Sequence, residues 1–278
     1  MTNHPLIGCS EYSPKIKAYD AAVKCLKLGL AGFQLSGDFT INFPENISQY
    51  EREQTSSFIH ENNIRLHYHA PSDIPLASRH EKLRLGGVQR LMEYIDLAVD
   101  MGASSFIFHP GRFAFYKVSS QKLVLAKRNV PESYYDNLYN SVYILAEHID
   151  GKLQLLLENT YNFSDRIISV VDRFLEIPYT GLAWDIGHMN HSESYNQISN
   201  CGMADFFANR IKSVKLAHIH DSVNNKSHLP LGTGNLNISA YIDIFNSQNI
   251  EMIIEVLSDN DLMKSLDYIQ TLALKGQP

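Results

Sequence analysis

The sequence predicts a single-domain (β/α)8 barrel that occupies residues 1–278. Eight short apolar segments, each typical of a buried parallel strand, alternate along the chain with segments of helical spacing. No shift in composition marks a linker between two domains. A doubly wound open sheet is the alternative, but it would more often carry a glycine-rich phosphate loop after its first strand, and none is visible here.

The predicted strands are short aliphatic runs that end at turn residues or polar residues. They fall within residues 6–10, 31–35, 64–69, 104–111, 153–160, 181–188, 214–221 and 251–255. Helical spacing of apolar residues covers 19–30, 44–63, 83–101, 132–148, 167–175, 205–210, 238–245 and 261–274. The connection from 112 to about 131 is long and rich in Arg, Lys and Tyr, which indicates either a functional loop or lid or a disordered insert.

The composition favours a soluble globular protein. With 44% hydrophobic and 19% charged residues the chain can bury a full core, and its net charge of -6 argues against a partner held mainly through phosphate charge. Cys9, Cys25 and Cys201 form no CxxC pair, which suits a reducing compartment. We see neither a signal peptide nor an apolar stretch of the roughly 18 residues that span a membrane. A cytoplasmic location without a membrane partner is therefore expected.

Six of the predicted strands end in a residue that can bind a metal ion. These residues are His69, His109, Glu158, Asp185, His218 and Glu255. Taken singly, each is more often structural, such as a helix cap, a loop ion pair or a hydrogen-bonded core histidine. In a barrel, however, the strand ends meet at one mouth, where buried and unpaired charges cost several kcal/mol each. A divalent cation would compensate them, and these ligand types suit Mn, Zn, Fe or Co, with Mg possible at the carboxylate-rich part.

Short motifs from the third predicted strand to the eighth resemble those of one known group. They are residues 66–71 (LHYHAP), 108–111 (FHPG), 157–160 (LENT), 185–188 (DIGH), 218–221 (HIHD), 228–235 (HLPLGTGN) and 254–255 (IE). The ordered set is similar to that of the xylose-isomerase-like barrels, which include endonuclease IV and the sugar-phosphate isomerases and epimerases. The resemblance implies a metal-dependent enzyme.

Carried over by matched position, the resemblance also implies ligand roles. The metal common to the group would be bound by Glu158, Asp185, His218 and Glu255. A second position, as in the endonuclease branch, would use His69 and His109 with Glu158 bridging, so one or two ions are expected.

Several positions depart from the endonuclease branch. There, a third zinc uses the counterparts of His188 and His228 with an Asp, but the Asp position falls on Lys226, which argues against a third ion. Thr233 stands where a Glu is usual between two glycines, and the first strand lacks a histidine near its end. Residues 72–74 (SDI) replace the aromatic-aliphatic wedge that enters DNA.

The leading functional hypothesis is a divalent-metal isomerase or epimerase acting on a small sugar or a related hydroxy-carbonyl compound. The metal would polarise the carbonyl and stabilise an enediolate. The resemblance implies that Glu158 and Glu255 transfer the proton and that His188 binds a substrate oxygen.

Further residues are candidates for substrate binding. For one of them, His220, a role as a hydrogen-bonded loop residue is an equally good explanation. They are His220, His228, Lys226 and Arg112, with Lys117 as a further cation for a substrate phosphate or carboxylate. The resemblance also suggests a homo-oligomer.

Two other hypotheses remain open. One is a zinc-dependent phosphodiesterase on abasic DNA, which His69 and His109 favour, whereas Lys226, the missing wedge and the acidic charge oppose it. The other is a barrel that binds a metal or ligand without catalysis. It predicts metal uptake with no turnover of sugars or abasic DNA.

Overall fold

The chain forms a closed barrel surrounded by helices, which confirms the predicted fold class. The computed structural model describes residues 4–111, 115–118, 121–124, 133–188, 202–224 and 226–275. The strands are β1 (His4–Glu11), β2 (Leu30–Ser36), β3 (Arg65–His69), β4 (Ser105–Phe108), β5 (Phe115–Val118), β6 (Gln121–Val124), β7 (Gln154–Glu158), β8 (Thr180–Asp185), β9 (Val214–Ile219), β10 (Asp221–Val223), β11 (Lys226–Leu229) and β12 (Glu251–Ile254). The helices are α1 (Ala18–Lys27), α2 (Gln49–Glu61), α3 (Glu81–Asp100), α4 (Ser133–Ile149), α5 (Asp165–Phe174), α6 (Met203–Asn209), α7 (Ile238–Ser247) and α8 (Asp259–Lys275).

Eight of these strands build the barrel, in the order β1-β12-β9-β8-β7-β4-β3-β2, and β2 pairs with β1 to close the ring. All neighbouring strands of the ring are parallel. The carboxyl ends of these strands therefore meet at one mouth. The register places Asp185 of β8 directly opposite His218 of β9.

An apolar layer fills the barrel interior below this mouth. It consists of Ile107, Leu156, Ala183, Leu216 and Ile253, which pack together in the core. Each lies two residues before a ligand candidate on the same strand or at its end, and residues two apart share one face of a strand. The ligand candidates therefore point into the barrel and rest on this layer.

Residues of the opposite parity pack outward against the helices. Trp184, next to Asp185, stacks on Phe207 of α6 with ring centroids 4.7 Å apart and contacts Phe245 of α7 edge-on. The indole is only 2% exposed, so its side chain serves the core and does not reach the mouth.

The helix predicted over 44–63 starts later than expected. Residues Pro44–Asn46 form a single 3-10 turn, and α2 begins only at Gln49. Ser48 caps it by accepting a hydrogen bond from the Glu51 backbone, while the Glu51 carboxylate accepts from the Ser48 backbone. This reciprocal cap fixes a new helix start inside the predicted segment.

Two antiparallel hairpins interrupt the alternation and are absent from the prediction. Strands β5 and β6 pair antiparallel within the connection that follows β4, and the rest of the 112–131 segment lies outside the described residues. Strands β10 and β11 form the second, directly after β9. The second begins at the carboxyl end of β9 and therefore stands at the mouth of the barrel.

Candidate metal centre

The first group at the mouth consists of four residues from four consecutive strands of the ring. Glu158 ends β7, Asp185 ends β8, His218 lies near the end of β9, and Glu255 follows β12. All four are buried. One nitrogen or carboxylate oxygen from each lies within 4.8 Å of the others. The six strand-end positions singled out in the sequence thus include four that meet around one point.

The imidazole of His218 lies between the two glutamates. Its Nε2 lies 2.7 Å from Oε1 of Gln34, so that Nε2–H donates to this amide oxygen. Its Nδ1 lies 3.3 Å from Oε1 of Glu158 and 3.5 Å from Oε2 of Glu255. Neither Nδ1 of His218 nor Oε2 of Glu255 has a hydrogen-bond partner among the described residues, although both atoms are buried.

These unpartnered atoms fit a divalent cation. An imidazole whose other nitrogen is held by a hydrogen bond, together with three carboxylates in the same group, is a donor set that binds Zn, Mn, Fe or Co. The ion pairs of Glu158, Asp185 and Glu255 within the described residues are formed with imidazoles. A cation would thus meet carboxylates that no Lys or Arg of the described chain neutralises.

The electrostatics of this group reflect its crowding. Burial alone would lower the pKa of His218, but the facing carboxylates of Glu255 and Glu158 raise it to about 10. Burial would raise the pKa of Glu158, but the imidazoles of His218 and His109 hold it well below its usual range. For both residues the attraction between imidazole and carboxylate thus outweighs the effect of burial on the pKa.

A second group shares Glu158 with the first. Nε2 of His69 lies 3.0 Å from Oε2 of Glu158 and 3.1 Å from Nε2 of His109, which in turn lies 3.3 Å from the same oxygen. Nδ1 of His69 lies 2.8 Å from the carbonyl oxygen of Ala70, to which it donates. In a metal-binding histidine one ring N–H is typically held by a backbone carbonyl in this way, which leaves Nε2 of His69 directed at the point it shares with His109 and Glu158.

A third group contains only imidazoles, those of His188, His220 and His228. The rings of His220 and His228 stack with centroids 4.3 Å apart, and His188 meets both edge-on at 5.3 and 5.2 Å. Nδ1 of His188 lies 3.0 Å from Oδ2 of Asp185, which connects this group to the first. The predicted substrate-binding residues His220 and His228 therefore do lie at the site.

Among the remaining predicted binding residues, only Lys226 has a described side chain. Lys226 lies on β11 with an exposed side chain, two residues before His228. Arg112 lies outside the described residues. Lys117 lies on β5, of which only the backbone is described. Ser72, in the segment that replaces the DNA-entering wedge, hydrogen-bonds through its hydroxyl to the Asp38 carboxylate at 2.8 Å and so ties two mouth loops together.

Buried Asp221 organises the hairpin and loop that carry His228. Its carboxylate accepts hydrogen bonds from the backbone N–H groups of Ser222, Gly234 and Leu236. A Cβ on Gly234 would lie 2.4 Å from Oδ1 of Asp221, so a glycine is needed there. Thr233, which departs from the group's usual Glu, donates to the carbonyl of Pro230 at 2.7 Å and is a turn residue.

Two residues of the site were missed in the sequence. Tyr12, just after β1, donates its hydroxyl to Oε1 of Glu255 at 2.7 Å, and no motif marks it. Gln34 is a buried amide among the apolar residues of strand β2, which ends at Ser36. A lone polar residue inside such a strand was the available signal, because buried polar side chains require partners.

Among the described residues, no helix combines the length and the apolar character that crossing a membrane requires.

The chain is similar to several known proteins. The protein MJ1311 of Methanocaldococcus jannaschii is 24% identical over 219 residues, which cover 73% of this chain and 68% of that protein. A D-tagatose 3-epimerase-like protein of known structure is 19% identical with a TM-score of 0.69, covering 95% of this chain and 96% of its own. The 3-keto-D-glucoside 4-epimerase YcjR from E. coli is 14% identical with a TM-score of 0.68, covering 98% of this chain and 100% of its own.

Identities this low between solved structures and the chain show a shared fold. A family model extends the comparison over most of the sequence, since it matches residues 22–272. The chain therefore belongs to the xylose isomerase-like TIM barrel family.

Proposed function

We propose that the protein is a divalent-metal-dependent isomerase or epimerase of a small sugar or related hydroxy-carbonyl compound. The observation that carries this proposal is the placement of Glu158 and Glu255 on either side of His218, with Oε1 of one at 3.3 Å and Oε2 of the other at 3.5 Å from the same nitrogen. Two carboxylates that face each other across one point suit the removal of a proton from a carbon and its return from the other side.

The cation would be held by Glu158, Asp185, His218 and Glu255, with a further position at His69, His109 and Glu158. When bound, it would act as a Lewis acid that polarises the carbonyl or hydroxyl oxygens of the substrate.

The chain's own residues perform the proton transfer. One glutamate accepts the proton from the carbon that bears the hydroxyl, and the other supplies a proton to the opposite face or to the neighbouring carbon. Tyr12 holds Oε1 of Glu255 through its hydrogen bond, which fixes the plane of that carboxylate. Gln34 holds the His218 ring by accepting its Nε2–H. Both contacts keep the two acid-base groups in place.

The substrate would enter past the imidazoles of His188 and His228, which are half-buried at the mouth. Imidazoles at this position can hydrogen-bond sugar hydroxyls. Exposed Lys226 on the adjoining hairpin could meet a phosphate or carboxylate if the substrate carries one. The D-tagatose 3-epimerase-like and 3-keto-D-glucoside 4-epimerase neighbours support a sugar as the substrate class.

A phosphodiesterase acting on abasic DNA is a second candidate. The observation that favours it is the pair His69–His109, whose Nε2 atoms lie 3.1 Å apart beside Oε2 of Glu158. Against it stand exposed Lys226 at the position of a metal-binding Asp and the net charge of -6.

Parallel assays of one preparation separate the two candidates. Purified protein is analysed for bound metals, then supplied with Mn²⁺, Co²⁺ or Zn²⁺ and incubated with a panel of ketoses and with a duplex that contains one abasic site. We expect interconversion of at least one ketose pair, with incorporation of solvent deuterium at the reacting carbon. The Glu158→Gln variant is assayed in parallel, and the Glu53→Gln variant, which changes an exposed glutamate, serves as its control. Cleavage of the duplex with a silent ketose panel would reverse the ranking.

A further inference from the structure

His220 is a fully buried histidine that the four-residue group does not require as a ligand. It follows β9 at the start of the mouth hairpin, and its Nε2 faces the carboxylate of Asp185. The distances from Nε2 are 3.1 Å to Oδ1 and 3.2 Å to Oδ2 of Asp185. The imidazole thus lies behind a carboxylate that itself belongs to the proposed cation site.

The other ring nitrogen of His220 is occupied as well. The backbone N–H of His228 donates to Nδ1 of His220 at 2.9 Å. Nδ1 also lies 3.2 Å from the carbonyl oxygen of Asp221, a longer contact with the adjoining residue. Because the shorter contact makes Nδ1 an acceptor, the ring proton lies on Nε2 and is donated to Asp185.

The backbone of His228 is bent to make this contact. Its φ is 56°, in the left-handed region that residues other than glycine rarely adopt. The hairpin therefore accepts an unfavourable conformation at the residue whose N–H holds the His220 ring. Such strain persists where the surrounding structure requires it, and it concentrates at functional sites.

Gly187 provides the space for the ring. A Cβ at this position would lie 1.8 Å from Cε1 and 2.2 Å from Nδ1 of His220. The imidazole consequently packs on the bare backbone between Asp185 and His188, with the ring of His228 stacked on it at 4.3 Å between centroids. Backbone, carboxylate and neighbouring ring together leave His220 one orientation.

We propose that His220 is a positioning residue, which donates Nε2–H to Asp185 and thereby aims that carboxylate at the cation. This inference rests on the cation site of the proposed function and is independent of the substrate. A histidine that orients a ligating carboxylate in this way typically contributes 10- to 100-fold to metal affinity.

A third cation among His188, His220 and His228 is the rival explanation, since one nitrogen from each lies within 4.8 Å of the others. It would require a lone pair of His220 directed at that cation. The hydrogen-bond pattern provides none, because Nδ1 accepts from His228 and Nε2 donates to Asp185. The structure therefore favours the positioning role.

Two substitutions of His220 test the proposal through metal binding alone. His220→Ala removes the donor, whereas His220→Gln keeps an N–H at the end of a side chain of similar reach. Affinity for Mn²⁺ and Co²⁺ is measured by competition with a chromogenic chelator, the number of bound ions by mass spectrometry, and ligand geometry by the visible absorption of the Co²⁺ protein. We expect His220→Ala to weaken the affinity about 10- to 100-fold and to shift the Co²⁺ spectrum. The number of bound ions should stay unchanged, and His220→Gln should recover most of the affinity.

Matched controls use a histidine far from the site. His148 on α4 faces Asp96 with 2.8 Å between Nε2 and Oδ1, an exposed pair of the same kind. His148→Ala and His148→Gln should leave the affinity as it is. Gly187→Ala retains His220 but removes the space for its ring, so it should weaken binding as His220→Ala does and provides a second route if that variant fails to fold.

Three outcomes would overturn the proposal. Loss of one bound ion in His220→Ala, with the affinity for the others unchanged, would make His220 a ligand of a third cation. Wild-type affinity in His220→Ala would remove the positioning role while leaving the cation site intact. If the wild-type protein binds no divalent cation, both the proposed cation site and the positioning role of His220 are wrong.

Discussion

The two ends of the barrel both bury a glutamate, but they neutralise it differently. At the amino end, Oε2 of Glu251 accepts from Nε of Arg65 at 2.6 Å and lies 3.2 Å from Nε2 of His67. At the carboxyl end, the ion pairs of Glu158 and Glu255 within the described residues are all formed with imidazoles. The charge at the first end is balanced by a guanidinium that keeps its proton at any ordinary pH.

This difference separates a structural charge from a site for a ligand. The carboxylate of Glu251 is neutralised by the permanently charged guanidinium of Arg65, so it needs no ion from solution. The carboxylates at the mouth are paired with imidazoles, which carry a fixed charge only when protonated and which can themselves bind a divalent cation. The absence of a Lys or Arg partner among the described residues, more than burial itself, is what makes the mouth carboxylates candidates for a cation site.

The largest expected effect is the loss of catalytic rate when Glu255, at the carboxyl end of the barrel, is replaced. Glu255→Gln keeps the shape of the side chain and its contact with Tyr12 but removes the base. We expect kcat for the interconverted ketose to fall by about 10²- to 10⁴-fold, the usual contribution of a positioned acid-base group. Exchange of the substrate hydrogen with deuterated solvent, followed by NMR, measures the loss. Unchanged exchange would show that Glu255 does not transfer the proton.

A second prediction compares how much a bound cation raises the free energy of unfolding when a glutamate at either end of the barrel is replaced. At a free concentration of Mn²⁺ or Zn²⁺ 100 times its Kd, the free energy of unfolding should rise by about 2.7 kcal/mol, and EDTA should reverse the rise. Glu158→Gln should abolish this increment because Glu158 belongs to both groups of ligands at the mouth. Glu251→Gln should retain it. Urea unfolding with and without metal provides the measurement, and equal increments in both variants would break the comparison.

The smallest effect concerns the amino end without any cation. Glu251→Gln removes the charge that pairs with Arg65 and with buried His67, and the free energy of unfolding should fall by about 1–3 kcal/mol. Because the Arg65 side chain is 37% exposed, water replaces part of the lost interaction. The loss should be the same in EDTA and in excess metal. A loss that depended on metal would mean that the two ends are coupled.

Much of the candidate site could be predicted from the sequence because the parallel strands of a barrel all end at the same mouth. Once eight strands alternate with helices, the carboxyl end of every barrel strand lies at this mouth. His69, Glu158 and Asp185 are the last residues of their strands and are therefore placed there. In β7 and β8 an apolar run stops at Glu158 and at Asp185, although the predicted segments 153–160 and 181–188 extend past the observed ends of these strands.

Other contacts depend on conformations that the sequence does not display. The hydrogen bond to His220 requires the left-handed backbone of His228, and the ring requires the space at Gly187. Tyr12 reaches Glu255 across 243 residues of sequence, from a segment without regular spacing. The late start of α2 follows from the Ser48 cap, which competes with the helical spacing around it.

The single carboxylate of Glu158 belongs to two of the ligand groups at once. Whatever occupies one of them alters the charge that the other experiences, and thermodynamic reciprocity makes this influence equal in both directions. Under the proposed function, in which both groups bind a cation, a titration with metal should therefore be cooperative or anticooperative, and its sign reports whether one carboxylate can serve two ions.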